Sequence, residues 1–434
     1  MARKRVLALA FDCNPKWPSL PVVAYKYALA LGEDVELTLV TQILNKSNLE
    51  EAGTGCVHVD YINIDLLAVP LDRLGKWLRG GNELGWTTQV AIFYPVYIAF
   101  ELVCWWRYHR RLSRGEFDLV HRITPMTPTL PSPMARLSPV PFLLGPLNGG
   151  LQWPAKFKSM EKKEKEWLRP LRALYKKMPF SRSTFRCSAA ILASFNHTIA
   201  DLPAEALPKT IDFPEVGLDE RIFSNVEPRA LSTGPLTVAF IGRFVPLKLP
   251  EVVALAFARS TVLREHRLVY VGDGPERAQI EEIIQKHGLQ DCAQVTGWVT
   301  QNGVSDWMRR AEILAFPSIK ELGAGVVVEA MACGMVPVVC NYGAPGTLVG
   351  TDRGLRVPVE DREQLIEAFQ IALEELVTDR QRLKDLADRA QRFAVQKFPW
   401  HQKTKETMAI YDWVLCGCRG PKPRFWPEDT TQAS

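Results

Sequence analysis

The sequence predicts an α/β chain built as two doubly wound units in series, and three observations carry that reading. At 434 residues the chain exceeds what one ordinary hydrophobic core supports, so two domains are expected. Short apolar runs bounded by turn residues alternate with segments of helical period, the pattern of βαβ units in a parallel sheet. The composition, 47% hydrophobic and 23% charged, is that of a soluble globular protein.

The first unit is expected over residues 1–224. RVLALAF opens it as a buried strand, and a proline-rich loop (Pro15, Pro18, Pro21) follows. VVAYKYALALG then reads as a helix ending at Gly32, and VELTLVT as the second strand. Val90 to Trp106 is the most apolar stretch and runs into the basic RYHRRLSR. A membrane span needs ~20 apolar residues. This one is shorter and holds Pro95 and Glu101, so it is read as a core helix, an interfacial helix or, least of all, a span. FDLVH (117–121) and PVPFLLGPLNGG (139–150) are further strands whose exit loops lie at the carboxyl edge of the sheet. Lys156 to Arg186 reads as a basic amphipathic helix, with Trp167, Leu171, Leu174 and Tyr175 at helical spacing. SAAILASF returns to a strand.

Residues 225–235 are polar with Pro and Gly and are the expected linker. The second unit is expected over 236–397, a closing helix over 398–418 and a disordered tail over 419–434. Its strands are LTVAFIG, LVYVG, QVTGWV, ILAF and MVPVVC, with NGVSDWMRRA as a helix capped by Asn302 and two covering helices late in the chain.

Within this unit Glu321 and Glu329 stand out. Glu321 falls in a loop at the carboxyl end of a strand, and Glu329 one turn inside the helix VVVEAMACG, which Gly334 closes. In an open parallel sheet that is where ligands bind. Amides from Gly325 through Val326 to Val327, with the positive end of the helix dipole, suit a phosphate. Carboxylates there can accept hydrogen bonds from ribose or hexose hydroxyls. The competing reading leaves both glutamates solvated, although the small apolar surroundings AMACG and GAGVVV leave little exposed helical face. Arg243 and Lys248 follow a buried strand and Gly242, and are read either as surface cations or as partners for a leaving diphosphate.

The spacing Glu321-x7-Glu329 and its continuation EAMACGMVPVVCNYGAPGTLV resemble the signature of the family 4 glycosyltransferases, retaining enzymes of the GT-B fold. The resemblance is densest from Leu236 to Val349 and weaker over most of the chain. It implies two Rossmann-like domains facing each other across a cleft, the second holding a nucleotide sugar and the first the acceptor. It implies that Arg243 and Lys248 (the GR-x4-K segment) bind the donor diphosphate, that Glu321 holds the sugar and that Glu329 holds the ribose. Gly323, Gly325 and Val326 would line the donor loop, with Gly272 and Asp273 near the nucleotide unless Asp273 is only a turn residue. His121 matches a strand-end histidine that helps hold the donor in many relatives, with Ile123 where many carry a second histidine; its alternative is a core histidine. Asn148, Gly149 and Gly150 would shape the acceptor floor or simply form a turn. The first loop, NPKWPSLP, stands where relatives usually carry a glycine pair, and Thr347 stands where many carry glutamate.

The expected activity is therefore metal-independent hexosyl transfer from a nucleotide-diphosphate sugar to a sugar or lipid-linked acceptor, with no other cofactor, since no DxD pair occurs. Two alternatives are a catalytically silent sugar-nucleotide-binding protein and a sugar-nucleotide epimerase. Nine scattered cysteines without a CxxC pair fit a reducing cytoplasm. Residues 1–200 carry 26 Lys and Arg against 16 Asp and Glu, and the remainder 27 against 32. That imbalance admits an anionic membrane surface as a partner or an uneven solvated face, and no nucleic-acid partner is expected.

Overall fold

The computed structural model describes residues 3–71, 86–157, 176–223 and 233–426. It divides into two compact units, one of residues 1–150, 161–215 and 403–426, the other of 151–160, 216–402 and 427–434. The expected basic helix across 156–186 and the expected linker fall largely outside the described residues, as does the tail beyond Trp426.

The first unit holds a seven-stranded sheet of β1 (Arg5–Ala10), β2 (Glu36–Gln42), β3 (His58–Ile62), β4 (Leu119–Thr124), β5 (Phe142–Leu147), β6 (Ala190–Ala193) and β7 (Thr210–Asp212). Their order is β3-β2-β1-β4-β5-β6-β7, and every pairing is parallel. The second unit holds β8 (Thr237–Ile241), β9 (Arg267–Val271), β10 (Ala293–Gly297), β11 (Ile313–Phe316), β12 (Val336–Cys340) and β13 (Leu355–Val357), in the order β10-β9-β8-β11-β12-β13. These pairings too are parallel. β4 and β5 are buried at every position, as a strand covered on both faces must be. The strands that periodicity misses, β3, β7 and β13, are short or half-exposed edge strands with a weak apolar pattern.

The apolar stretch near residue 100 lies in the helix Trp86–Ser113. Val96, Tyr97, Phe100, Cys104, Tyr108 and Leu112 recur at helical spacing and are buried in the first core. Among the described residues no helix is long and apolar enough to cross a membrane. Glu101 is fully buried in this helix; its carboxylate accepts from the Tyr97 and Ser132 hydroxyls and, at 3.1 Å, from the Met134 amide. Opposite charge comes from Arg122 on β4, itself 1% exposed. The Arg122 guanidinium donates to the carbonyls of Leu130 (2.6 Å), Pro125 and Thr127 (both 3.0 Å), and so pins the loop leaving β4.

Four local expectations are corrected. The first helix runs on to Asp34, because Gly32 meets the Val57 side chain and serves close packing rather than termination. Helix Gln301–Arg310 is capped by Thr300, whose hydroxyl accepts from the Gly303 amide at 3.3 Å, not by Asn302. The division between units falls at Val216 and not at residue 224, since Gly217 lies against Trp400 and Leu218 pairs with Phe398 at 2.7 Å. Residues 419–426 of the supposed disordered tail are packed: Lys422 donates to Thr210 O at 2.6 Å and Phe425 lies edge-on to Phe213.

Truncating the buried cation at β4 strips three carbonyls of their donor and leaves Glu101 without counter-charge. Arg122→Ala is expected to cost about 3–5 kcal/mol, read as a lower urea midpoint with an unchanged slope.

Candidate functional site

In the second unit the strand order reverses between β8 and β11, the point at which open parallel sheets bind ligands. The loop leaving β8 carries Gly242, Arg243 and Lys248, and the loop leaving β11 carries Ser318, Glu321 and Gly323. Lys248 Nζ lies 2.7 Å from Glu321 Oε1, with the two side chains only 13% and 17% exposed. The ammonium also stands 4.7 Å from the centre of the Phe316 ring, and the Ser318 hydroxyl reaches the same carboxylate oxygen at 3.3 Å. Cation and carboxylate, far apart in sequence, thus meet on one sheet edge. Arg243 is exposed and, among the described residues, pairs with no carboxylate.

Glycines let these loops approach. Gly242 has φ 145°, and a Cβ there would stand 3.5 Å from Lys248 Nζ. Gly272 has φ 141°, and its added Cβ would run into the Gly242 carbonyl. The loops after β8 and β9 are laced together by Gly242 N to Val271 O (3.0 Å) and Phe244 N to Asp273 O (2.9 Å). Asp273 uses its carboxylate inside this turn, accepting from Gly274 N at 2.8 Å and Arg277 Nη1 at 2.9 Å. Those two donors, the amide first, hold its carboxyl below the usual range. The turn reading of Asp273 fits this geometry.

Helix Gly325–Ala332 follows, entered through Ala324 in the left-handed region at φ 52°. Of the three amides expected to face a phosphate, that of Val327 is already bonded to Ala324 O at 3.0 Å. Val326 and Glu329 are half-buried on the first two turns. The segment GAPGTLV forms the short helix Gly343–Val349. Its first residues back the Glu321 loop: Ala344 N donates to Glu321 O at 3.1 Å. Trp153 and Phe157 also belong to this unit's core, and Lys320 Nζ lies 4.5 Å from the Trp153 ring centre. No spacing signal marks that contribution, because it comes from an aromatic pair inside an irregular segment.

The first-unit candidates are placed differently. His121 is mid-strand, fully buried and doubly bonded, to the Tyr411 hydroxyl and Gly145 O, both at 2.7 Å. Burial pushes its pKa down to about 4. The neutral ring then donates from Nε2 to the carbonyl and accepts from the tyrosine at Nδ1. The donor-holding reading of His121 is therefore corrected to a core histidine, because neither nitrogen faces a ligand. Asn148, at the end of β5, is 7% exposed and donates through Nδ2 to Glu215, whose other oxygen receives the Ser194 hydroxyl at 3.2 Å. Burial raises the Glu215 carboxyl to about 7. Gly149 N bonds Thr198 Oγ1 at 3.2 Å, and a Cβ on Gly150 would strike His197 O, so Gly150 admits a close backbone approach. Glu215 escapes sequence reasoning, since its partner lies far away in the chain. Among the described residues no group of three His, Cys, Asp or Glu side chains gathers as a metal-ligand set.

The depressed His121 pKa sets a pH dependence. The unfolded histidine titrates near about 6.5 and the folded one near about 4, so stability present above 6.5 is lost as pH falls toward 4. The loss is expected to reach about 2 kcal/mol by pH 5. Urea unfolding at both pH values checks it, and in His121→Gln this component should vanish.

Residues 223–393 match the family model described as glycosyl transferases group 1. The chain is 29% identical over 224 residues to a D-inositol 3-phosphate glycosyltransferase of Kribbella flavida, covering 48% of this chain and 51% of that protein. It is 24% identical over 304 residues to an MMP alpha-(1->4)-mannosyltransferase of Mycolicibacterium hassiacum, covering 69% and 71%. The chain spans about half the length of the curated inositol-phosphate relatives it matches. Among solved structures, sucrose-phosphate synthase of Thermosynechococcus elongatus superposes with a TM-score of 0.62 at 16% identity, covering 96% of this chain and all of that one. Anabaena Alr3699/HepE, solved with UDP and glucose, gives 0.59 at 16% identity, covering 94% and 99%. These likenesses show the fold, GT-B with two Rossmann-like units.

Proposed function

We propose that this chain, whose residues 223–393 match the family model of the group 1 glycosyl transferases, transfers a hexose from a nucleotide-diphosphate sugar to a hydroxyl of a glycan or lipid-linked acceptor, with retention of configuration and without a divalent metal. The observation that carries the reading is the Lys248–Glu321 pair at the strand-order reversal of the second unit. A glycosidic bond to a diphosphate breaks with negative charge building on the phosphate and positive charge on the sugar. Lys248 and the exposed Arg243 supply cations for the first, and Glu321 supplies a carboxylate for sugar hydroxyls and for the second. Glu329 would hold the ribose diol from its helix, with Gly325 and Val326 offering backbone near the phosphates. A same-face displacement, in which the departing phosphate oxygen takes the acceptor proton, fits a site built around cations.

The reading places the chain in the cytoplasm with an anionic membrane surface in reach. On helix Trp86–Ser113, Trp106 is 72% exposed beside Arg107 and Arg110, opposite the buried face. An exposed indole flanked by guanidinium groups suits a lipid headgroup layer.

Arg243→Ala and Lys248→Ala are each expected to raise the transfer barrier by about 2–4 kcal/mol. The assay is turnover of common nucleotide sugars after a thermal-shift screen; unchanged rates in both variants would end the diphosphate assignment. Donor binding without hydrolysis or transfer would instead mark a silent binder, and isomer formation without acceptor an epimerase. Sedimentation with vesicles containing anionic lipid should show salt-sensitive recruitment that Trp106→Ala weakens. Equal binding to neutral vesicles would exclude electrostatic attachment.

A further inference from the structure

The first unit has its own reversal of strand order, between β1 and β4, and the residues there have been given no role so far. Just beyond β1 stands Asp12, stitched to β4 by its backbone. Its amide donates to Thr124 Oγ1 at 3.1 Å, and the Thr124 hydroxyl donates to Asp12 O at 3.0 Å. Carboxylate oxygen Oδ1 receives the Gln42 amide from the end of β2 at 2.9 Å. Among the described residues nothing bonds Oδ2, and the residue is partly exposed.

The loop that follows is fixed without help from this carboxylate. Asn14 and Asn45 are fully buried, and Asn14 Nδ2 donates to Asn45 Oδ1 at 3.1 Å. Asn45 Nδ2 lies within bonding distance of Phe11 O (3.0 Å) and Thr41 Oγ1 (2.8 Å), and Asn48 Nδ2 donates to Asn14 Oδ1 at 3.0 Å. Pro15 and Pro18 stiffen what remains. A rigid loop thus presents one free carboxylate oxygen at the ligand-binding edge of a parallel sheet. On the other side of β4, at the end of β5, Asn148 Oδ1 is buried with no hydrogen-bond partner among the described residues. Low-dielectric surroundings lift the Asp12 carboxyl to about 6, against the pull of Gln42, so at neutral pH it is mainly ionised and an acceptor only.

Resting on the glycosyl-transfer reading, we propose that Asp12 binds an uncharged polyhydroxyl acceptor, a sugar or cyclitol, by receiving a hydroxyl hydrogen bond at Oδ2. Its negative charge disfavours acceptors that bring a phosphate to the same place. The carboxylate acts as a selector of acceptor class and leaves the donor untouched.

The test uses the full chain with whichever nucleotide sugar it hydrolyses. Transfer is measured onto methyl α-D-glucopyranoside, myo-inositol and D-inositol 3-phosphate. Native protein is expected to use a neutral acceptor in preference to the phosphorylated one. Asp12→Asn is expected to raise KM for the neutral acceptor about ten- to hundredfold, the effect of losing a hydrogen bond to a charged group. Donor hydrolysis and thermal stability should stay as in the native chain, and the preference over the phosphate should shrink. An unchanged KM, transfer confined to the phosphorylated acceptor, or donor hydrolysis with transfer to no neutral polyol each overturns the assignment. Failure to turn over any nucleotide sugar falls instead on the glycosyl-transfer reading itself.

Discussion

An ammonium and a carboxylate 2.7 Å apart, each mostly out of solvent, organise the second unit. Such a pair is costly to desolvate and persists where further contacts fix it. Here Phe316 lies beneath the ammonium and Ser318 reaches the carboxylate. The backbone of the Glu321 loop is in turn held by Ala344. The loops after β8 and β9 can reach each other because Gly272 and Gly274 bring backbone against backbone, where any side chain would collide, while Gly242 takes a φ that side chains rarely adopt. The glycines seat the loop after β8 against the loop after β9, and from the loop so placed Lys248 reaches Glu321 on the loop after β11.

The first unit solves a related problem with buried polar groups. Glu101 and Arg122 lie inside a helix–sheet core and tie down the loop after β4. Lys403, 2% exposed, donates to Pro214 O with its ammonium 3.5 Å from the centre of the Phe213 ring, close to the buried Glu215 that receives Asn148. These networks sit beneath the carboxyl ends of β4, β5 and β7. They tie those loops to the core through buried hydrogen bonds. Buried hydrogen bonds likewise tie the asparagine-pinned loop after β1, which holds Asp12 in place without glycines.

Much of this was legible along the chain. The period of the apolar runs marks most strands, and positions such as Val96, Phe100, Cys104 and Tyr108 mark one helix as core. The sequence places Arg243 and Lys248 after β8 and the Glu321-x7-Glu329 spacing after β11, and of these Lys248 and Glu321 meet in the fold. The His121 assignment failed. Sequence position alone does not reveal that Tyr411, far along the chain, fills the face of the ring that a ligand would need. Glu215, Trp153 and the ordered residues 419–426 were missed in the same way, since each takes its meaning from a partner distant in sequence.

Fold class, most of the strands and the residue types on the loops after β8 and β11 are legible in the order of the letters. Hydrophobic period and turn chemistry are local and survive in a single string of letters. Which charges pair, that His121 is a neutral core residue, and that Asp12 stands at a reversal of strand order with one oxygen unbonded among the described residues emerge only in the folded chain. Those outcomes depend on distances, burial and desolvation among residues far apart along the chain, and no periodicity encodes them.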